Sequence, residues 1–591
     1  MKNIKIYGKA AVAMAFLATG AMTTACSDWD DHYNSNGISG SPTQTIWENI
    51  KENANLSQFA DLMHKAGYDE VINASQTYTV WAPVNGTFNY DSLCALPLTN
   101  LKDYFAKNHV ARFNFPATGY VNEYVTMLNK KMMPFVGSDS TYTFNGVKVV
   151  TPNVASSNGV LHVTNGMVNY MANLFESLDS TAYPIDSISR YFHSYDVKEL
   201  DEANSVEGPV VDGRKTYLDS VFYESNALIY LHNALLNRED SSYSVIVPTN
   251  EAWQKAYDQV KKLYNYKPFT FVKDVPATNL NKATADENYD DGPTKLDFAL
   301  LKDSIIHYTI AKDLFFNNNI YHNKVLKELQ TGENLTTDSL VSTMRNIYYE
   351  EDAANLFEGA TRIDKSNGSM WLTDSLRMRP WIAWNPIIKV QGEYGLCNSY
   401  NTSATTRNSV TKAEQNPDIQ GTVSNGAYMT ITPLAAASNP EAIFYLPGVR
   451  STTYAVYVCF VPENINSDTY VENPRPNKVQ VTMGYNDLKG TPKEERLKAG
   501  SVSSFENDIN KVDTIYVGDF TFPLCYYGTG TSSSTYTSYA PYLRINSRAT
   551  GTAAKSQNDR TLRIDFIMLV PKELDTYLKE HPDYKYQHDL D

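Results

Sequence analysis

The sequence predicts a multidomain chain, two α+β domains in tandem followed by an all-β sandwich. Three observations carry that prediction. Tyr78–Phe88, YTVWAPVNGTF, is echoed by Tyr243–Trp253, YSVIVPTNEAW, and Pro83 and Pro248 lie 248 − 83 = 165 residues apart. Asn158–Val168, NGVLHVTNGMV, has a degenerate echo in Asn367–Leu376, NGSMWLTDSL. Beyond Asn385, short alternating or apolar runs recur between clusters of Gly, Pro, Asn and Ser, and helical patterns nearly vanish.

In chain order, residues 1–25 read as a targeting segment. Lys2, Lys5 and Lys9 precede an apolar run, Ala10–Met22, too short for a lasting membrane span and right for a secretory core. Thr24-Ala25-Cys26 resembles a lipoprotein processing site, which makes Cys26 the lipidated new N-terminus. The acidic run Ser27–Asp31 resembles the signal that sends some bacterial lipoproteins to the outer face of the outer membrane. Several acyl chains, at about 0.8 kcal/mol per buried CH₂, anchor a protein almost permanently. Residues 26–41 are polar and rich in Gly and Ser, a flexible tether.

Residues 42–179 form the first domain. Ile46, Trp47, Ile50, Leu56, Phe59, Leu62, Met63 and Ala66 recur at helical spacing, and Gly67 stops the helix. Tyr78–Ala82 reads as a strand that Pro83 ends, with Asn85 placed to cap the helix after it. Leu98–Phe105 reads as a helix, and Phe144–Val150 and Val160–Val163 as strands around the hairpin turns Asn145-Gly146 and Asn158-Gly159. Residues 180–385 repeat the plan, with Asn250 as the equivalent cap and an insertion, Lys261–Pro293, rich in Tyr, Asn, Lys and Asp. Residues 386–591 are the sandwich, with strands expected at Tyr428–Ile431, Ala442–Leu446, Tyr454–Phe460, Lys478–Met483, Thr514–Val517, Tyr542–Ile545 and Leu562–Leu569.

The duplicated stretches are similar to the two signatures of fasciclin-like domains, closely in the first copy and loosely in the second, where Trp371 stands at the place of His162. The family's central pair is represented by Asn108-His109 and by His307-Tyr308. The resemblance covers residues 42–385 and implies adhesion or extracellular protein–protein contact, with a cell-surface or matrix protein as partner. The sandwich sequence is similar to galactose-binding-like jelly rolls, several of which hold carbohydrate. Surface lipoproteins of this build resemble accessory subunits that capture glycan or peptide for a TonB-dependent transporter.

Composition bounds the chemistry. A formal charge of −15, with 66 acidic and 51 basic residues, excludes a nucleic-acid footprint. The 42 tyrosines fit exposed binding faces and Tyr-rich strands alike. After Cys26 four cysteines remain, Cys94, Cys397, Cys459 and Cys525, without metal spacing, and an oxidising compartment allows one disulfide among the last three. The 10 histidines form no catalytic motif, and His109, His162 and His307 read as structural. Asp286–Gly292, DENYDDG, lacks the glycine a calcium loop needs at its sixth position and reads as a solvated acidic loop. No cofactor, metal site or catalytic residue is expected. The remaining candidate is the Gly/Ser-rich loop Cys525–Tyr542. Its Tyr526, Tyr527, Tyr536, Tyr539 and Tyr542 form either a glycan platform or a connection whose rings pack on neighbouring strands.

Overall fold

The computed structural model describes residues 43–586 apart from 140, 204, 267–297, 395–396, 401, 528–540 and 550. The chain forms two compact units. The first comprises residues up to 171 together with 198–224, the second residues 172–197 and everything from 225 onward. No helix among the described residues is long and apolar enough to cross a membrane. Cys26, the tether and the acidic loop Asp286–Gly292 lie outside the described residues.

The first unit is built on a seven-stranded sheet. Its strands are β1 (Tyr78–Pro83), β2 (Val110–Arg112), β3 (Val121–Thr126), β4 (Met132–Ser138), β5 (Thr141–Phe144), β6 (Val147–Ser156) and β7 (Gly159–Thr164), in the order β2-β1-β7-β6-β5-β4-β3. Residues on β1 alternate between two cores. Val80 and Ala82 face α1 (Ile46–Glu52) and α2 (Ser57–Lys65), while Trp81 faces Phe135 and Phe144, stacking on Phe144 at 4.1 Å. The expected single helix over Ile46–Ala66 is broken at Asn53, whose extended backbone ends α1 and whose side chain caps the next turn. Gly67 stops α2 at φ +71°.

The second unit repeats this plan. Strands β8 (Tyr243–Pro248), β9 (Phe315–Asn317), β10 (Thr361–Lys365) and β11 (Gly368–Thr373) form the sheet β9-β8-β11-β10. The parallel pairs match residue for residue, Tyr78↔Gly159 through Pro83↔Thr164 and Tyr243↔Gly368 through Pro248↔Thr373. The second-signature asparagines make identical clamps. Asn158 donates to Ile72 and Ala74 carbonyls and accepts from Ile46 N–H; Asn367 donates to Leu236 and Arg238 and accepts from Leu174 N–H. All six bonds fall between 2.8 and 3.0 Å.

Two expectations about this duplication are corrected. Asn85 and Asn250 do not cap the helices that follow them. Each reaches instead to a helix preceding it in sequence that lacks a cap of its own: Asn85 Oδ1 accepts Gln58 N–H of α2 at 3.0 Å, and Asn250 Oδ1 accepts Ser187 N–H of α3 (Asp186–His193) at 2.8 Å. The following helices are capped by Asn89 and by Thr249, the latter on α4 (Asn250–Val260). Nor does His307-Tyr308 match Asn108-His109. Val110 and Phe315 are equivalent, lying opposite Val80 and Val245, so the positions that match are Asp313-Leu314. His307 sits farther back on α5 (Phe298–Ala311).

The sandwich comprises β12 (Ile388–Gln391), β13 (Cys397–Tyr400), β14 (Thr402–Ser409), β15 (Ala427–Pro433), β16 (Glu441–Tyr445), β17 (Thr453–Phe460), β18 (Lys478–Asn486), β19 (Pro492–Arg496), β20 (Phe505–Glu506), β21 (Asp513–Thr521), β22 (Tyr542–Ser547) and β23 (Leu562–Pro571). One sheet runs β14-β15-β23-β17-β21 with β12 on β23; the other runs β13-β16-β22-β18-β19 with β20 on β18. Every strand expected from the alternation is present. Phe444, Val456, Val458, Val481, Leu543, Ile545, Ile564 and Leu569 fill the space between the sheets. The central strands of the first sheet, β17 and β23, are buried on both faces, because Ala455, Cys459, Phe566, Met568 and Val570 join the core of the second α+β domain. The disulfide does not form. All four cysteines are free thiols, and Cys397, Cys459 and Cys525 are buried apart, beside Met429, Asp565 and Tyr527 respectively.

Candidate functional site

The outer face of the second sheet is the candidate site. Alternation along β22 sends Leu543, Ile545 and Ser547 inward and Tyr542, Arg544 and Asn546 outward. Register then sets their neighbours. Glu441 and Gln480 flank Asn546, Ile443 and Thr482 flank Arg544, and Tyr445 and Gly484 flank Tyr542. Glu494 on β19 lies opposite Gly484.

Gly484 is what shapes this face. A Cβ there would meet the Tyr542 ring at 2.2 Å, so the ring lies flat over the glycine. The phenol donates to Glu494 and accepts from Arg544 at 3.1 Å, with the guanidinium 5.6 Å from the ring centroid. Arg544 also pairs with Glu494, and Asn546 donates to Glu441. Partial burial, with Glu441 and Tyr445 nearby, raises the Tyr542 phenol above its ordinary value, so it stays a donor at neutral pH. The result is a flat aromatic ring among fixed donors and acceptors of both signs. A polyhydroxylated ligand with a flat C–H face matches that arrangement.

The other candidate tyrosines divide. Tyr536 and Tyr539 lie outside the described residues. Tyr526 points inward, which corrects its reading as a ligand contact, while Tyr527 is half-buried. Tyr526 is 5% exposed and belongs to the core between the sheets. Tyr527 packs under Arg450, 4.5 Å from its ring, and edge-on to Tyr264. His109 and His162 are structural. Each is fully buried, each accepts or donates to backbone through both ring nitrogens, and burial lowers each to about 4. Among the described residues no group of His, Cys, Asp and Glu is placed to hold a metal ion.

Sequence reasoning missed the partners of Tyr542. The period-2 pattern of β16, β18 and β22 could have identified the outward set, but their pairing is a matter of register between distant strands.

Residues 54–168 match the Fasciclin domain family. The first unit thus carries a fasciclin domain, and the second repeats its sheet register and asparagine clamp, making a fasciclin-like pair. No curated protein matches the chain well enough to count as a relative. Among solved structures it is similar to a FAS1 domain pair from the insect cell adhesion molecule Fasciclin I, at 13% identity and TM-score 0.19, covering 56% of this chain and 99% of that one. It is also similar to the C-terminal family 22 carbohydrate binding module of Clostridium thermocellum Xyn10B, at 13% identity and TM-score 0.18, covering 30% of this chain and 88% of that one. A third likeness is to the CBM22-1 xylan-binding domain from Paenibacillus barcinonensis Xyn10C, at 12% identity and TM-score 0.19, over 32% of this chain and 96% of that one.

Proposed function

We propose that this is a surface lipoprotein, anchored through Cys26 to the outer membrane and facing outward, which binds carbohydrate without acting on it. The observation that carries the carbohydrate reading is the flat Tyr542 ring over Gly484, bordered by Arg544, Glu494, Asn546 and Glu441. Sugar rings stack their C–H faces on such a surface, and vicinal hydroxyls both donate to carboxylates and accept from guanidinium and amide. Glu441 and Glu494 are each bonded to neighbouring side chains on the face, an arrangement that supports binding rather than hydrolysis. In this role the anchored chain hands captured glycan to a TonB-dependent transporter. A second reading, adhesion to a cell-surface or matrix protein, is favoured by the fasciclin match.

The test is retention of the soluble chain, residues 27–591, in native gels containing xylan, glucomannan or levan. Retention by at least one polymer is expected, with Tyr542→Ala weakening it about tenfold, equivalent to about 1.4 kcal/mol. No retention, together with binding to immobilised matrix protein, would decide for adhesion. Recovery of a TonB-dependent transporter with the detergent-extracted protein would support the uptake role.

A further inference from the structure

We propose that the second fasciclin-like domain carries a binding groove of its own, shaped for a short stretch of uncharged carbohydrate chain. The groove encloses about 590 Å³ between α3, α4 and α5, within the range of ligand sites. It is separate from the Tyr542 face, and the case for it does not depend on that face.

Helical spacing assembles it. Trp253 and Tyr257 are four apart on α4, as are Asp303 and His307 on α5, so each pair shares one helix face. Tyr191 on α3 closes the floor, 5.9 Å from Trp253 and 5.8 Å from His307. The Trp253 indole N–H donates to His307 Nδ1 at 3.1 Å, and the two rings stack 5.5 Å apart. With Nδ1 accepting, the imidazole proton resides on Nε2, 3.3 Å from Asp303 Oδ2. Tyr257 donates its hydroxyl to Asp303 Oδ1 at 2.7 Å. The carboxylate is therefore held in place with lone pairs left over for a ligand.

The plan shared by the two repeats does not account for His307. The positions matching the first domain's central pair are Asp313-Leu314, leaving His307 on a part of α5 that faces the groove. The rim carries Arg190, Gln254 and Tyr195, the last 43% exposed. Arg190 makes no ion pair among the described residues; its Nε donates to the Asp186 carbonyl.

Charge and exposure select the ligand. One cation, Arg190, and one anion, Asp303, cancel, while burial, helped by Arg190, outweighs the pull of Asp303 and holds His307 towards its neutral form. A site with a fixed donor, a fixed acceptor and no net charge suits vicinal hydroxyls on an uncharged sugar better than a uronate. A proline-rich peptide would need an open indole face and a free indole N–H. Trp253 is 2% exposed, and its N–H is engaged by His307.

Calorimetric titration of residues 27–591 with xylohexaose, mannohexaose and cellohexaose tests the groove. Two sites per chain are expected for at least one of them. Tyr542→Ala should leave one site, Arg190→Ala/Gln254→Ala should leave one, and the combined variant none. Ser304→Trp, which plugs the groove from a rim position, should act like the Arg190/Gln254 pair. The groove is overturned if Tyr542→Ala alone abolishes binding, if the groove variants leave the stoichiometry unchanged, or if none of the three sugars binds. A groove site that persists in Tyr542→Ala while the face fails would separate the two.

Discussion

Asn158 and Asn367 commit both ends of their amides to backbone groups, and the two carbonyls that Asn367 serves, Leu236 and Arg238, also accept from the Phe175 and Ser241 N–H groups. Asn158→Ala strands one buried N–H and two carbonyls, whereas Asn367→Ala strands the Leu174 N–H and leaves each carbonyl a second donor, at about 1–3 kcal/mol for each group left unsatisfied. A larger loss is therefore expected for Asn158→Ala than for Asn367→Ala, each confined to the unfolding transition of its own unit. Urea titration with two resolved transitions would check this, and a loss in the wrong unit would contradict the repeat. The buried histidines add a pH dependence to the first unit. His109 and His162 titrate near 4 when folded, against an ordinary value near 6.5, so between those values the unfolded chain binds more protons. Stability is therefore complete above about pH 6.5 and falls as pH drops, by up to about 1.4 kcal/mol per pH unit for each histidine. Calorimetry from pH 7 to pH 5 should show the first unit's midpoint falling; a constant midpoint would contradict the assignment.

At the scale of elements, Gly484 on β18 gives the clearest prediction. A methyl group there collides with the Tyr542 ring, not with backbone, and the ring sits on the outer face. Gly484→Ala should lift the ring and weaken polysaccharide retention about tenfold, about 1.4 kcal/mol, with a thermal midpoint within a few degrees of the parent. Retention unchanged from the parent would show that the flat ring does not matter. The same strands show how far the sequence could be read. Their alternation of apolar and polar residues marks each strand, because one side of every strand must be apolar to fill the sandwich. Alternation cannot show which strands become neighbours, so Tyr542 was legible as a candidate while Arg544, Glu494 and Gly484 beside it were not. Tyrosine itself is ambiguous, half apolar and half polar, which is why Tyr526 suited a wet loop as well as the core it occupies. The groove on α3, α4 and α5 is harder still. Tyr191 stands more than a hundred residues before His307, and only the tertiary fold brings them to 5.8 Å.

At the scale of the molecule, the second fasciclin-like domain and the sandwich share one core, so they should unfold together. Residues 263–266, the start of the insertion, are laid onto the sandwich: Asn265 bonds Ser451 and the Pro523 and Cys525 backbone, and Tyr266 bonds the Tyr527 carbonyl. Arg450 is buried there against the Tyr527 ring. At a second contact Arg379 pairs with Asp352 and stacks on Tyr577 at 4.9 Å, while Tyr584 accepts from the Trp381 indole and donates to Asp352. Cutting the chain at residue 386 would expose the Ala455, Cys459, Phe566 and Met568 face and leave Arg450 without Tyr264, its neighbour from the other domain. A buried cation stripped of its partners costs several kcal/mol. The full chain should accordingly melt in two calorimetric transitions, one per unit, rather than three. Arg450→Ala, which removes the contact with the Tyr527 ring and the bond to the Gly448 carbonyl but leaves no charge behind, should lower the larger transition as a whole by about 1–3 kcal/mol and leave the smaller one in place. An isolated polypeptide of residues 386–591 should bind an apolar dye and aggregate where the whole second unit does not. A third independent transition, or a well-behaved 386–591 fragment, would mean that the sandwich is a separable domain and that the contacts around Arg450 are incidental to its stability.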